Sequence, residues 1–117
     1  MQREADLASF LGQKDAVAFC ALADGQIASV LSGVIDQTTV RLVHVLFEAG
    51  SRERARLLLS CLEAFAREAN ARVVFAQVVR DSHAHRALLE NNYTQDFTET
   101  DVVAGRMVST VDLTKIL

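Results

Sequence analysis

The spacing of apolar residues changes character partway along the chain. Ala16–Ala23 (AVAFCALA) is a continuous apolar run, followed by Asp24 and Gly25 and then by residues 26–34 (QIASVLSGV). In that second run Ile27, Ser29, Leu31 and Gly33 alternate with Ala28, Val30, Ser32 and Val34. Asp-Gly between two such runs predicts a tight hairpin, because a type I′ turn needs positive φ at both central residues. After a polar turn at Asp36, Gln37 and Thr38, a third run over residues 39–47 completes an antiparallel meander of three strands.

From Ser51 to Asn70 the period becomes helical. Ala55, Leu58, Leu59, Leu62, Phe65 and Ala69 recur at 3.6-residue spacing, and Leu57, Cys61 and Ala64 widen the stripe. Residues 73–78 (VVFAQV) are short and apolar, which suits a strand covered on both faces. Ser82 to Asn91 carries Ala84, Ala87 and Leu88 on one side and predicts a second helix. Residues 93–98 and 106–114 predict a terminal hairpin, in which Met107, Ser109, Val111 and Leu113 face opposite Val108, Thr110 and Asp112. Ahead of all this, Leu7, Phe10 and Leu11 predict a short amphipathic helix over residues 4–12. The whole is a mixed α/β chain: a meander, a strand-helix-strand crossover and a hairpin.

Composition narrows the setting. With 117 residues, half of them hydrophobic, and no proline-rich or low-complexity tract, the chain predicts one domain over residues 1–117 with a single core. No apolar run reaches the roughly 20 residues of a membrane helix, and the first six residues lack the layout of a signal peptide. A cytoplasmic protein with no membrane partner is expected. The net charge of −3 argues against nucleic acid as a partner. Cys20 and Cys61 lie inside apolar segments without nearby histidine ligands, so both read as reduced core residues, with no metal.

The order of elements resembles the acyl-CoA-binding half of the GNAT superfamily of N-acyltransferases. The residues that carry the likeness run from Val43, His44, Val45, Leu46 and Phe47, through the turn at 48–51 and the long helix, to Asn92 and Tyr93. The resemblance implies a GNAT-like mixed central sheet of α/β (α+β) type. It also implies acetyl-CoA or another acyl-CoA as donor, and a small-molecule or protein amine as acceptor. The family pattern R/Q-x-x-G-x-G/A falls on Gly50, Ser51, Arg52, Glu53, Arg54 and Ala55, of which Ala55 matches and Glu53 replaces the central glycine. The cofactor-binding residues implied are Val45, Leu46, Phe47, Gly50, Ser51, Arg52, Arg54, Ala55 and Arg56. Backbone N–H groups at a helix start attract a phosphate, and the three arginines add positive charge, while Glu53 crowds and repels it.

A second family pattern, N-x-x-A-x-x-L-Y-x-x-x-G-F, falls on Asp81, Ala84, Ala87, Leu88, Asn92 and Tyr93. Leu88 stands where many members carry the tyrosine that protonates the departing thiolate, which leaves Ser82, His83, His85 or water for that task. Asn92 stands in for the glycine, as a residue able to adopt the left-handed conformation. Removing a proton from the amine calls for a base, and His44 and Glu48 are the catalytic candidates. His83 and His85, two apart on a helix, point away from each other and read as surface residues. The alternative to an acyltransferase is a non-catalytic GNAT-fold binding or interaction module. Thin cover over residues 16–34, with a free edge at the strand from 106 to 117, predicts a homodimer.

Overall fold

The computed structural model describes residues 15–48, 52–103 and 106–117, with 97–103 and 106–108 described as backbone. The helix expected over residues 4–12, and residues 49–51 of the turn expected at 48–51, lie outside the described residues. Six strands, β1 (Ala16–Ala23), β2 (Gln26–Asp36), β3 (Thr39–Leu46), β4 (Val73–Val79), β5 (Thr94–Val103) and β6 (Arg106–Ile116), form one sheet in the order β1-β2-β3-β4-β6-β5. Two helices, α1 (Arg52–Glu68) and α2 (His83–Glu90), complete the described architecture. Among the described residues no helix is long and apolar enough to cross a membrane.

The meander forms as the pattern predicts. Asp24 and Gly25 both have positive φ, 53° and 76°, as a type I′ turn demands. β3 and β4 are parallel neighbours joined through α1. β6 pairs with β4 on one side and β5 on the other, both antiparallel. The strand from 106 is therefore interior, and among the described residues the edges of the sheet are β1 and β5. That corrects the expected edge: the hairpin folds back so that its second strand, not its first, meets β4.

Both helices contribute to one core with the sheet. Leu58, Leu59, Leu62 and Ala66 of α1 and Ala84 and Leu88 of α2 cluster with Leu31, Val40, Leu42, Val74, Ala76, Val78, Val111 and Leu113. The buried stripe of α1 is narrower than its sequence pattern. Leu57, Cys61, Ala64, Phe65 and Ala69 are exposed, whereas Glu63 is buried. Cys20 is exposed as well, so neither cysteine is a core residue. β4 buries Val74, Ala76 and Val78 on one face and leaves Gln77 and Val79 exposed, rather than being covered on both. Each helix ends with an asparagine at positive φ, Asn70 at 64° and Asn92 at 71°. In each case the next amide reaches back, Ala71 N–H to Ala66 O at 2.9 Å and Tyr93 N–H to Leu88 O at 3.0 Å. These are the bonds of a Schellman cap, with Asn in the place usually held by Gly.

Candidate functional site

The site begins with an interruption in the sheet. β3 and β4 pair only at Thr39–Val73, Val40–Val74 and Arg41–Phe75. Beyond Arg41 the two strands part. The cause lies on the other side of β3, where the register with β2 jumps from Gly33–Leu42 to Ser32–His44, so that Val43 is an extra residue. A bulge of this kind bends its strand and sharpens its twist. Gly33 permits it: a Cβ there would lie 2.9 Å from Val40 Cγ1 and 3.0 Å from the Arg41 carbonyl oxygen.

Between the parted strands lies a cleft of about 500 Å³. Val43, His44, Val45, Leu46 and Phe47 form one wall, Gln77, Val78 and Val79 the other, and Ser82, His83 and Ala84 the end nearest α2. Its lining is mostly apolar, with backbone groups of two strand ends along its length. A smaller cleft of about 200 Å³ is lined by Phe47, Glu48, Arg52, Ala55, His83, Arg86, Ala87 and Glu90. Phe47 and His83 border both, so the two are adjacent.

His44 sits on the face of the sheet opposite the helices, next to Ser32. The Ser32 Oγ accepts from the His44 backbone N–H at 3.1 Å and lies 2.7 Å from His44 Nδ1. Ser32 is fully buried, and which partner donates across the Oγ–Nδ1 contact follows the ring tautomer. Glu48, the other catalytic candidate, is placed at the smaller cleft. Its backbone N–H donates to Ser29 Oγ at 2.9 Å and its carboxylate pairs with Arg54.

The three arginines of the α1 start are each held by a carboxylate. Arg52 pairs with Glu90 at 3.4 Å, Arg54 with Glu48 and Arg56 with Glu53. The Glu53 carboxyl is held below its usual range, first by its hydrogen bond from Arg56 and then by that guanidinium's charge. Arg52 and Ala55 line the smaller cleft, whereas Arg54 and Arg56 line neither. Gly50 and Ser51 lie outside the described residues. Arg86 makes no ion pair among the described residues, and sequence reasoning missed it. Its signal was available: His83, Arg86, Ala87 and Glu90 share one helical face.

At the start of α2, Ser82 is the N-cap. Its Oγ accepts from His85 N–H at 3.2 Å and donates to the Val79 carbonyl at 2.6 Å. His85 is buried rather than on the surface, with Nδ1 accepting from Asp81 N–H at 2.9 Å and Nε2 2.9 Å from Gln95 Oε1. Both its nitrogens are therefore engaged. His83 is exposed at the junction of the clefts, and Leu88 is fully buried in the core. Of the candidate groups, the structure gathers His44, Ser82 and His83 around one cleft and places Glu48 at the adjoining one.

No protein-family model matches the sequence, and no curated protein matches it. Solved structures do. A probable acetyltransferase from Staphylococcus epidermidis superposes with a TM-score of 0.81 at 11% identity, over 97% of this chain and 76% of that one. An acetyltransferase of the GNAT family from Streptococcus pneumoniae gives 0.74 at 16% identity, over 97% and 74%. The structure of yncA from Salmonella typhimurium, determined with its cofactor acetyl-CoA, gives 0.76 at 18% identity, over 97% and 72%. At such identities the likeness is one of fold, and the chain has the GNAT fold.

Proposed function

We propose that this GNAT-fold chain is an acyl-CoA-dependent N-acyltransferase that acts on a small-molecule or protein amine. One observation carries the reading: the cleft opened where the β3–β4 pairing ends at Arg41–Phe75, with residues 43–47 along one wall. A pantetheine arm is extended, carries two amides and needs backbone partners along its path. A strand edge facing an apolar slot supplies them. The acetyl-CoA in the yncA structure supports the same ligand class.

The acyl group then lies toward His44 and the diphosphate toward the smaller cleft, where Arg52 and Arg86 stand near the positive end of the α1 dipole. The grip on the diphosphate is weak, because Glu90 already holds Arg52 and Glu48 stands close by. In the reaction the amine nitrogen attacks the acyl carbon, the C–N bond forms and the C–S bond breaks. The amine gives up its proton to solvent or a base, and coenzyme A leaves as a thiolate that must be protonated. His44 lines the cleft and, once it has taken the amine's proton, can pass one to the thiolate in place of the hydroxyl that Leu88 lacks.

A non-catalytic module is the second reading, favoured by the committed arginines and by Leu88. Isothermal titration with acetyl-CoA and free coenzyme A separates the two. The enzyme reading expects acetyl-CoA to bind with a dissociation constant of roughly ten to a hundred micromolar, and Arg86→Ala to weaken it several-fold. It also expects thiol release in the presence of an amine. Binding without release from any amine supports the module, and no binding at millimolar acetyl-CoA overturns the acyl-CoA reading.

A further inference from the structure

A polar row crosses the face of the sheet opposite the helices. Ser32 of β2 pairs with His44 of β3, and across the cleft Gln77 of β4 pairs with Asp112 of β6. The neighbours Leu31, Ala76, Val78, Val111 and Leu113 all belong to the core on the helix side, so strand alternation puts these four side chains on the other face. Continuing the parallel register past Arg41–Phe75, with Val43 as the bulge residue, brings His44 and Gln77 to the same level. The row runs through the cleft, and two of its members, His44 and Gln77, line it.

Asp112 is the unexplained member. It is 6% exposed, and its Oδ1 has no hydrogen-bond partner among the described residues. A buried acceptor without a donor costs more than most single interactions contribute, and a carboxylate oxygen more than an amide one. No ion pair among the described residues engages it. What stands beside it on β4 is Gln77, an exposed side chain that lines the cleft, so Asp112 lies one strand spacing, about 5 Å, from the cleft wall.

We propose that the acceptor is an amine bearing a second positive charge, which Asp112 receives while the reacting nitrogen lies on the His44 side of the cleft. The proposal rests on the N-acyltransferase reading above. Two strand spacings, about 10 Å, separate Asp112 from His44 before the opening of the cleft is added. The second ammonium therefore belongs on a chain of several methylenes, whose apolar length matches the walls formed by Val43, Val78 and Val79.

Octylamine and octamethylenediamine differ only in that terminal ammonium. Acetyl transfer to each is followed by thiol release with acetyl-CoA as donor, beside calorimetric titration of acetyl-CoA and of the diamine into the full chain. The expected result is a kcat/KM for the diamine about tenfold or more above that of octylamine, the size of one charge-assisted hydrogen bond, carried mainly in KM. In Asp112→Asn the ratio falls to near one. Gln77→Lys, a surface change that leaves the core untouched, places a fixed ammonium beside Asp112 and lowers the ratio in the same way. A ratio near one in the parent, or one that both variants preserve, overturns the assignment of Asp112. Acetyl-CoA binding with no diamine preference discards this inference alone. Failure of acetyl-CoA to bind removes the acyltransferase reading, and diamine binding that Asp112→Asn leaves unchanged removes the cation site as well.

Discussion

Glu63 is a carboxylate inside the interface between α1 and the sheet, 5% exposed, and two side chains hold it there. Lys115 Nζ donates to Oε1 at 2.8 Å and Tyr93 Oη donates to Oε2 at 3.1 Å. Lys115 also donates to the Asn91 carbonyl at 3.0 Å and lies 5.5 Å from the Tyr93 ring centre. The network ties α1, the end of α2 and β6 to one another. Removing the cation leaves a buried carboxylate underpaired, so Lys115→Met is expected to cost about 3 kcal/mol in denaturant unfolding. Tyr93 carries a pH signature. Burial first, and then the Glu63 charge, raise its pKa well above the ordinary 10.0. The folded state thus keeps the phenol proton that the unfolded state releases. The associated stability is complete below pH 10 and is lost as pH rises toward the folded value. Tyr93→Phe is expected to flatten the fall in melting temperature above pH 10, and an unchanged alkaline slope would show that the ring is not buried beside Glu63.

At the scale of elements, what the sequence made legible is what short-range chemistry decides. Asp24-Gly25 demands one turn type, Ser82 is a cap by its chemistry, and Asn92 supplies the left-handed residue that closes α2. The β3-α1-β4 crossover follows from a helix between two apolar strands. What stayed hidden depends on partners distant in sequence. Phe65 and Leu57 fit the helical period as well as Leu58 does, but only the position of the sheet decides which side of α1 is covered. The arginines 52, 54 and 56 read as an anion site until Glu90, more than thirty residues away, is seen to take one of them. The bulge at Val43 left no mark except a glycine opposite. That glycine offers a test, since Gly33→Ala drives a methyl into Val40 and the Arg41 backbone. The overpacking is expected to cost about 1–3 kcal/mol and to weaken acetyl-CoA binding by shifting the cleft wall. A variant as stable as the parent would show that β3 can give way at no cost.

Over the whole molecule, the sheet has two edges, and among the described residues no strand pairs with the outer side of β1. β1 is an edge strand of eight residues without a charged side chain. Phe19 on it meets Phe65 of α1 edge to face, with ring centres 6.5 Å apart. Phe65 is 38% exposed and Leu57 52%, with Cys61 exposed between them. A bare edge beside an apolar helical row is a surface that a two-fold axis can pair with itself. We propose a homodimer through this side, with light scattering at tens of micromolar giving about twice the 12.8 kDa chain mass and Phe65→Glu lowering it. A monomeric parent would contradict it. The central claim concerns the opposite end of β3, where the parted strands receive an acyl-pantetheine arm, and it is tested most directly by mapping amide chemical shifts in the labelled protein as acetyl-CoA is added. The account predicts saturable shifts at residues 43–47, 77–79 and 82–86, with β1 and the β5-β6 hairpin undisturbed. Shifts centred elsewhere, or none at millimolar acetyl-CoA, would contradict it.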